Sequence, residues 1–160
     1  ILNEMQEKGL DIEFVEQPVI AHDFEGLKYV TERSYVPVLA DESVFSPEDA
    51  LKIMQMGAAD LVNIKLMKCG GITNALKIAS AAEVYGVECM IGCMLESRLS
   101  VAAAAHLAAG RSVITRADLD GPSLCSVDPY EGGPVFDEAA ISMTGDPGIG
   151  VGNLPCAQWS

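Results

Sequence analysis

Glu16, Asp41 and Lys65 are spaced almost evenly along the sequence, and each stands at the carboxyl end of a short apolar run. The intervals are 25 and 24 residues, which suit one strand, one helix and two short loops. Because the carboxyl ends of parallel strands meet on one rim of a barrel, polar groups at these positions would converge there. The spacing therefore predicts a site built from two carboxylates and one amine.

The chemistry of these side chains indicates metal binding and proton transfer. Carboxylate oxygens are hard ligands, so Glu16 and Asp41 together suit Mg²⁺ better than zinc, whereas each taken alone could be a solvated acid at a strand end. Lys65 lies in an apolar run, where burial and a nearby cation would lower its pKa and make it a general base. The alternative for Lys65 is a salt bridge to one of the two acids. Lys68 is predicted to be an exposed loop residue.

A second pair of acids, Asp118 and Asp120, flanks an apolar residue near the last strand-like run. In an extended segment, alternate residues point to the same side, where two carboxylates repel each other unless a cation lies between them. That cation could be a metal ion or the ammonium group of a substrate. The pair could instead lie in a surface loop, or Arg116 could neutralise one of its members.

The cysteines do not indicate a disulfide framework or a zinc site, because their number is odd and no Cys-x-x-Cys occurs among positions 69, 89, 93, 125 and 156. Free thiols are typical of the reducing cytoplasm, which is the expected location. A nucleophilic Cys93 would need a paired histidine. Neither His22 nor His106 lies at the end of a predicted strand, so cysteine catalysis is not expected.

The composition limits the possible partners. The 160 residues carry a net charge of −13, and 49% of them are apolar. An acidic surface disfavours nucleic acid and anionic membranes, and the apolar content supports a sizeable core. The sequence shows no apolar stretch of the roughly 18 residues that a membrane span requires. A single domain that binds neither nucleic acid nor a membrane is expected.

Strand-like and helix-like segments alternate along the first three quarters of the chain. The predicted strands are 12–15, 36–40, 61–67, 87–95 and 113–119, and the predicted helices are 22–33, 46–56, 73–86 and 97–109. One helix start has a strong signal, because Ser46 is a good N-cap and Pro47 suits the first helical position. Gly57 is a typical residue for the end of that helix.

This alternation predicts an α/β fold with parallel strands and right-handed crossovers. No GxGxxG motif follows the first strand, and the regular spacing of polar strand ends favours a barrel over a doubly wound sheet. A full barrel has eight strands and about 250 residues, so five strands indicate part of one. Residues 1–122 are expected to form this partial barrel. The turn-rich residues 123–160 are expected to pack outside it, with short strands near 135–136 and 141–143.

Several short phrases of the sequence resemble the enolase superfamily, and within it the muconate lactonizing enzyme subgroup. These are Val-Glu-Gln-Pro at 15–18, Ala-Asp-Glu-Ser at 40–43, Asn-Ile-Lys at 63–65, Gly-Gly-Ile at 70–72 and Gly-Cys-Met-Leu-Glu at 92–96. Asp-Leu-Asp at 118–120, followed by Gly-Pro, resembles the dipeptide epimerases of the L-Ala-D/L-Glu type. The family fold is a capping domain joined to a modified (β/α)₇β barrel. The chain is expected to be the C-terminal portion of that barrel, without the capping domain and the first strands.

The resemblance implies Mg²⁺-dependent epimerisation of a dipeptide by 1,1-proton transfer through a metal-stabilised enediolate. It also implies a role for each matching position: metal ligands at Glu16 and Asp41, one of two bases at Lys65, acids that hold the substrate ammonium at Asp118 and Asp120, and substrate contacts partly through the backbone at Cys93 and Leu95.

Other interpretations of the sequence remain open. Cycloisomerases, o-succinylbenzoate synthases and N-acylamino acid racemases share the same scaffold, and only the Asp118/Asp120 pair favours the dipeptide epimerases over them. The chain could also be an inactive barrel fragment or a non-catalytic subunit. Exposed edges of an incomplete parallel sheet invite self-association, so a homo-oligomer is expected.

Overall fold

The computed structural model describes residues 1–137 and 140–152, and its centre is a parallel sheet of five strands in the order β1-β2-β3-β4-β5. The strands are β1 Val15–Glu16, β2 Val38–Ala40, β3 Leu61–Lys65, β4 Glu88–Gly92 and β5 Ile114–Asp118. Strands that are adjacent in the sequence are also neighbours in the sheet, as expected for consecutive units of a barrel. The predicted α/β class and the partial barrel are confirmed.

One or two helices connect each pair of consecutive strands. The helices are α1 Leu2–Glu7 before the sheet, then α2 Phe24–Thr31, α3 Pro47–Met56, α4 Leu66–Cys69, α5 Ile72–Tyr85 and α6 Arg98–Ala109. Within the part of the chain that the structure describes, no helix has the length and apolar character needed to cross a membrane. Residues of α2 to α6 pack against the outer face of the sheet in one core.

The two faces of the sheet differ because successive strand residues point to opposite sides. On the outer face, residues such as Val38, Val62, Ile64 and Ile91 are fully buried against the helices. Burying one such side chain stabilises the fold by about 1.5–3 kcal/mol. The inner face, opposite the helices, carries a small apolar cluster of Phe14, Leu39, Leu61 and Met90. Towards the carboxyl ends of the strands, the same inner face becomes polar.

Helix α3 begins and ends where the sequence predicted. The hydroxyl of Ser46 accepts a hydrogen bond from the Asp49 backbone N–H at 3.1 Å and donates one to the Asp49 carboxylate at 2.8 Å. Pro47 occupies the first turn, and Gly57 ends the helix in the left-handed conformation, with φ 61°. Both ends of this helix are held by local interactions, so its bounds do not depend on packing alone.

Some predicted strands extend past the observed ones. The run 61–67 was predicted as one strand, but β3 stops at Lys65 and the chain turns at once into α4. Gly70 closes this single helical turn with φ 82°, a conformation that glycine adopts without a steric cost. The run 87–95 is likewise shorter, because β4 ends at Gly92. Both differences lie at the carboxyl rim, where the loops leave the sheet.

The described part of the C-terminal segment packs near α6 and the outer face of β5. A 3₁₀ helix at Gly121–Leu124 is followed by two short antiparallel pairs, Glu131–Gly132 with Val151–Gly152 and Val135–Asp137 with Ala140–Ser142. Phe136, Ile141 and Met143 pack against the main core. Arg98 Nε donates to Asp128 Oδ2 at 2.7 Å, which ties this segment to the first residue of α6. The last eight residues of the predicted extension lie outside the described residues.

Substituting Ser46 tests the capping of α3. We expect Ser46→Ala to lower the free energy of unfolding by about 1 kcal/mol, because a backbone donor of the first turn loses its partner. Urea unfolding of a full-length protein that contains this chain measures the effect. Ser112→Ala, at an exposed turn position, is the control. Equal unfolding midpoints for the two variants would show that Ser46 does not cap the helix.

Candidate active site

The polar part of the inner face brings together residues from the carboxyl ends of all five strands. Glu16 ends β1 and Asp41 follows β2 directly, while Lys65 ends β3. The sheet register places Lys65 beside Gly92, and Gly92 beside Asp118. The side chains that were predicted from strand spacing are therefore brought to one rim.

Asp41 is the most strongly held acid of the site. Asp41 is only 4% exposed, and Lys65 Nζ donates a hydrogen bond to Asp41 Oδ2 at 2.7 Å. Lys68 Nζ forms an ion pair with the other carboxylate oxygen. Burial by itself would raise the pKa of the Asp41 carboxyl, but the hydrogen bonds from the two lysines outweigh it and hold that pKa below its usual range. Asp41 is thus a carboxylate fixed between two ammonium groups.

The prediction that Lys68 is an exposed loop residue is wrong. Its side chain is only 5% exposed, and its Nζ also donates to the Asp41 backbone carbonyl at 2.6 Å and to the Asn63 carbonyl at 3.4 Å. The cause is α4, whose single helical turn directs Lys68 back over the ends of β2 and β3. Burial lowers the pKa of this lysine, and the charge of Lys65 adds to the effect.

Lys65 forms the salt bridge that the sequence left open as its alternative role. Burial alone would lower its pKa, as predicted for a general base. The hydrogen bond and the charge of Asp41, assisted by the charge of Glu16, outweigh burial and raise the pKa of Lys65 above its usual value. In this arrangement the amine is protonated, so Asp41 would have to be satisfied by another cation before Lys65 could act as a base.

Glu16 is held by a residue that the sequence reasoning missed. Asn63 is fully buried two positions before Lys65, on the same face of β3, and its Nδ2 donates to Glu16 Oε1 at 3.0 Å. Burial raises the pKa of the Glu16 carboxyl, and this hydrogen bond offsets only part of the effect. Among the described residues, Asn63 Oδ1 is buried without a hydrogen-bond partner. A polar residue at an inner-face position of β3 is the signal that could have identified Asn63.

Gly92 leaves room for these side chains. A Cβ at this position would lie 2.7 Å from Asn63 Oδ1 and 2.8 Å from Lys65 Cε. Real side chains do not approach so closely, so any larger residue would displace one or both groups. The absence of a side chain at Gly92 is thus a condition for the observed positions of Asn63 and Lys65.

Gln17 ties the ends of β1 and β2 together. Its φ of 40° lies in the left-handed region, which residues other than glycine seldom adopt. Its Oε1 accepts hydrogen bonds from the backbone N–H groups of Asp41 at 2.9 Å and Ser43 at 3.2 Å, and its Nε2 donates to Ser43 Oγ at 2.8 Å. These bonds offset the backbone strain at Gln17. They also fix Asp41 relative to Glu16, the residue before Gln17.

Asp118 and Asp120 lie on the opposite side of the rim from Asp41. Leu119 between them is buried, while both aspartates are exposed. Asp118 is close enough to Glu16 for its charge to contribute to the raised pKa of that carboxyl. Arg116, the alternative cation for Asp118 or Asp120, donates hydrogen bonds instead to Glu13 at 2.8 Å and to Glu88. These contacts leave the aspartates facing solvent at the site.

The loop after β4 joins the Asp118 region through the backbone. The Cys93 N–H donates to the Asp118 carbonyl at 3.1 Å. A Cβ on Gly121 would lie 2.7 Å from the Met94 carbonyl oxygen, so the two loops touch closely. Burial raises the pKa of the Cys93 thiol, and the negative charges of Glu96, Asp118 and Asp120 add to the effect. Leu95 is 76% exposed.

Two cavities lie near this rim. One of about 460 Å³ opens on the inner face and is lined by Phe14, Glu16, Met90, Arg116 and Asp118, among others. A larger cleft of about 640 Å³ lies between the loops after β1 and β2, and it lacks both lysines of the cluster. Neither cavity is lined by Asp41, Lys65 or Lys68. The smaller one is lined by Glu16 and Asp118, which come from two different strand ends, so it is the better candidate for substrate.

The site has the donor chemistry for a hard cation but carries only part of a complete set. Within the described ranges, no group of three or more His, Cys, Asp or Glu side chains is arranged to hold a metal ion. Glu16 and Asp41 offer carboxylate oxygens, and Asn63, whose Oδ1 has no partner among the described residues, bonds to Glu16 through its Nδ2. The residues that are present therefore fit a divalent cation as a partial ligand set.

Comparison with known proteins gives the family. The model described as enolase C-terminal domain-like matches residues 1–153. The L-Ala-D/L-Glu epimerase of Clostridium acetobutylicum is 59% identical over 150 residues, which cover 94% of this chain and 42% of that protein. The chain therefore spans about two fifths of the length of this relative.

Solved structures agree with the sequence match. The substrate-liganded complex of the L-Ala-D/L-Glu epimerase from Bacillus subtilis has a TM-score of 0.91 at 49% identity, covering 94% of this chain and 42% of that one. The dipeptide epimerase from Enterococcus faecalis V583, complexed with Mg and the dipeptide L-Leu-L-Tyr, has a TM-score of 0.88 at 46% identity. The match covers 95% of this chain and 44% of that one. The expected resemblance is confirmed along nearly all of the sequence, and the chain belongs to the enolase C-terminal domain-like family.

Proposed function

We propose that this chain forms part of a metal-dependent dipeptide epimerase, which inverts the α-carbon of the C-terminal residue of its substrate. The observation that carries the proposal is the cluster at the carboxyl rim, where the Lys65–Asp41 ion pair lies with Glu16 and Asn63. Relatives named L-Ala-D/L-Glu epimerase support the same reaction class. Because the chain spans less than half of those relatives, the activity belongs to a longer protein.

Lys65 would move the α-proton on one face of the substrate. Inversion of a stereocentre requires one base on each face, and the resemblance implies that the second lysine lies on an earlier barrel strand. Lys65 is suited to its role because its side chain is 12% exposed and reaches the inner face from the end of β3. The second base would come from a part of the protein beyond this chain.

Glu16 and Asp41 would hold Mg²⁺ together with a further ligand from outside the chain. Asp41 is buried, whereas Glu16 is more exposed at the end of β1. Partial desolvation raises the pKa of the Glu16 carboxyl, and the negative charges of Asp41 and Asp118 add to the effect. A bound Mg²⁺ would supply positive charge next to the carboxylate of the substrate. An Mg complex of the Enterococcus faecalis dipeptide epimerase supports this choice of metal.

Asp118 and Asp120 would bind the ammonium group of the dipeptide. Both are exposed at the rim, and Arg116 is engaged by Glu13 and Glu88. Two carboxylates without a nearby cation complement a protonated amine and disfavour an acylated one. Backbone groups at Cys93 and Leu95 would complete the contact, since the loop that carries them bonds to Asp118.

Removing Lys65 tests its assignment as one of two bases. In a full-length protein that contains this chain, Lys65→Ala should reduce epimerisation by about 10²- to 10⁴-fold, the usual contribution of a general base. Exchange of the α-proton with D₂O should persist for one substrate epimer only, and NMR measures it. Lys77→Ala, at an exposed position of α5, is the control. Undiminished turnover of both epimers by Lys65→Ala would remove Lys65 from the mechanism.

Replacing both aspartates tests recognition of the amine. The double variant Asp118→Asn/Asp120→Asn should lose about 10- to 100-fold in kcat/KM for L-Ala-L-Glu, since a hydrogen bond to a charged group contributes about 1.5–3 kcal/mol. Its activity on N-acetyl-L-Ala-L-Glu should be little changed or improved. Parallel assays of α-proton exchange with both substrates measure this. If the variant handles the free dipeptide as well as the parent does, the dipeptide assignment loses its main support.

Filling the space at Gly92 tests the geometry of the cluster. Gly92→Ala would place a methyl group against Asn63 Oδ1 and Lys65 Cε. Because a shift of about 1 Å in a reacting group can cost about 100-fold in rate, we expect kcat to fall by about 10- to 100-fold. Gly145→Ala is the matched control, since a Cβ there meets nothing within 4 Å. Equal kcat for the two variants would show that the packing around Gly92 does not position Lys65.

A further inference from the structure

Lys68 and Lys65 hold the same carboxylate in different ways. Lys68 Nζ bonds to three acceptors, which are the carboxylate and the carbonyl of Asp41 and the carbonyl of Asn63. In the described residues, Lys65 Nζ has one hydrogen-bond acceptor, Asp41 Oδ2. Lys68 therefore bridges the ends of two strands, whereas Lys65 is attached to one atom.

This difference decides which lysine can be released. Moving Lys65 away from Asp41 breaks one charged hydrogen bond, and the carboxylate keeps its bond to Lys68. Moving Lys68 breaks all three of its hydrogen bonds. It also separates a buried cation, whose side chain is only 5% exposed, from acceptors on two strands. A buried carboxylate that loses its partner is costly, so the ion pair with Lys68 is the one that persists.

We propose that Lys68 is a positioning residue, the lasting counter-ion of Asp41 that keeps this carboxylate aimed into the site while Lys65 moves between Asp41 and the substrate. The role rests on the proposed function, and specifically on Asp41 as a ligand of a divalent cation. Lys68 does not touch substrate in this role. It acts by fixing Asp41 through the carboxylate and the backbone at once.

The direction in which metal affinity changes when Lys68 is removed distinguishes a positioning role from two simpler roles. If Lys68 only adds positive charge near the metal, removing it should tighten metal binding. If it only stabilises the fold, removing it should lower the melting temperature and leave metal binding unchanged. If Lys68 positions Asp41, removing Lys68 should weaken metal binding, even though the substitution also removes a positive charge that repels the metal.

The experiment compares Lys68→Met with the parent in a full-length protein that contains this chain. Titration with Mn²⁺ or Mg²⁺ by calorimetry, without substrate, should show binding weakened by about 10- to 100-fold, the usual effect of losing a group that orients a metal ligand. The metal concentration for half-maximal activity should rise, while KM for the dipeptide at saturating metal should stay the same. Lys77→Met is the control, because Lys77 is exposed and bonds only to Asn74 in the described residues.

A double-mutant cycle keeps the proposal testable if Lys68→Met is unstable. In the background of Asp41→Asn, a further change of Lys68→Met should not weaken metal binding more, because the carboxylate that Lys68 positions is already gone. Lys68→Arg, which keeps the charge but not the shape of the ammonium, should bind metal more weakly than the parent. Unchanged or tighter binding by Lys68→Met would overturn the positioning role. Absence of metal binding by the parent would instead overturn the proposed metal site.

Discussion

The arrangement of the site depends on one buried charge, the carboxylate of Asp41. A carboxylate that is 4% exposed would be strongly destabilising without partners, and breaking such a pair commonly costs about 3–5 kcal/mol. Two lysines and the amide of Gln17 satisfy this residue through its carboxylate, its carbonyl and its backbone N–H. Because these partners come from the residue after β1, from β3 and from α4, satisfying Asp41 also helps to set the relative positions of these elements.

The sheet register is the second constraint on the site. Between β4 and β5 the pairing shifts at Cys89/Met90, so that Met90 lies beside Arg116 and Thr115 is an extra residue in β5. A shift of one residue exchanges the two faces of a strand. Without this bulge, Ala117 would lie beside Gly92 and Asp118 would point towards the helices. The bulge therefore decides that Asp118 faces the same space as Glu16 and Lys65.

Contacts across the inner face join the two edge strands of the sheet. Arg116 on β5 bonds to Glu13, just before β1, although the two residues are 103 positions apart in the sequence. Below the polar rim, Phe14 packs against Leu39, Leu61 and Met90. The inner face is thus layered, with an apolar floor beneath a charged rim, and the floor excludes water from one side of the site. This layering strengthens the electrostatic interactions of Asp41 and Glu16 with their partners.

Much of the fold was predictable from sequence because its signals are local. Strand and helix periodicity, the Ser46 cap and the glycines at helix ends require only neighbouring residues, and the even spacing of Glu16, Asp41 and Lys65 follows from repeated strand–helix units. The strand lengths were less predictable, because β3 and β4 end where the chain turns into helices or loops rather than where the apolar run ends.

The sequence by itself determined the α/β class, the order of the elements and the polar residues that would reach one rim. Only the tertiary structure decided how those residues pair. The sequence pattern predicts a loop position for Lys68, but α4 places its ammonium on Asp41. The pattern gives Asn63 only as a strand residue, whereas in the structure its amide bonds to Glu16. Spacing along a chain fixes which face and which end a side chain occupies, but a partner 24 to 47 residues away is chosen by the packing of whole elements.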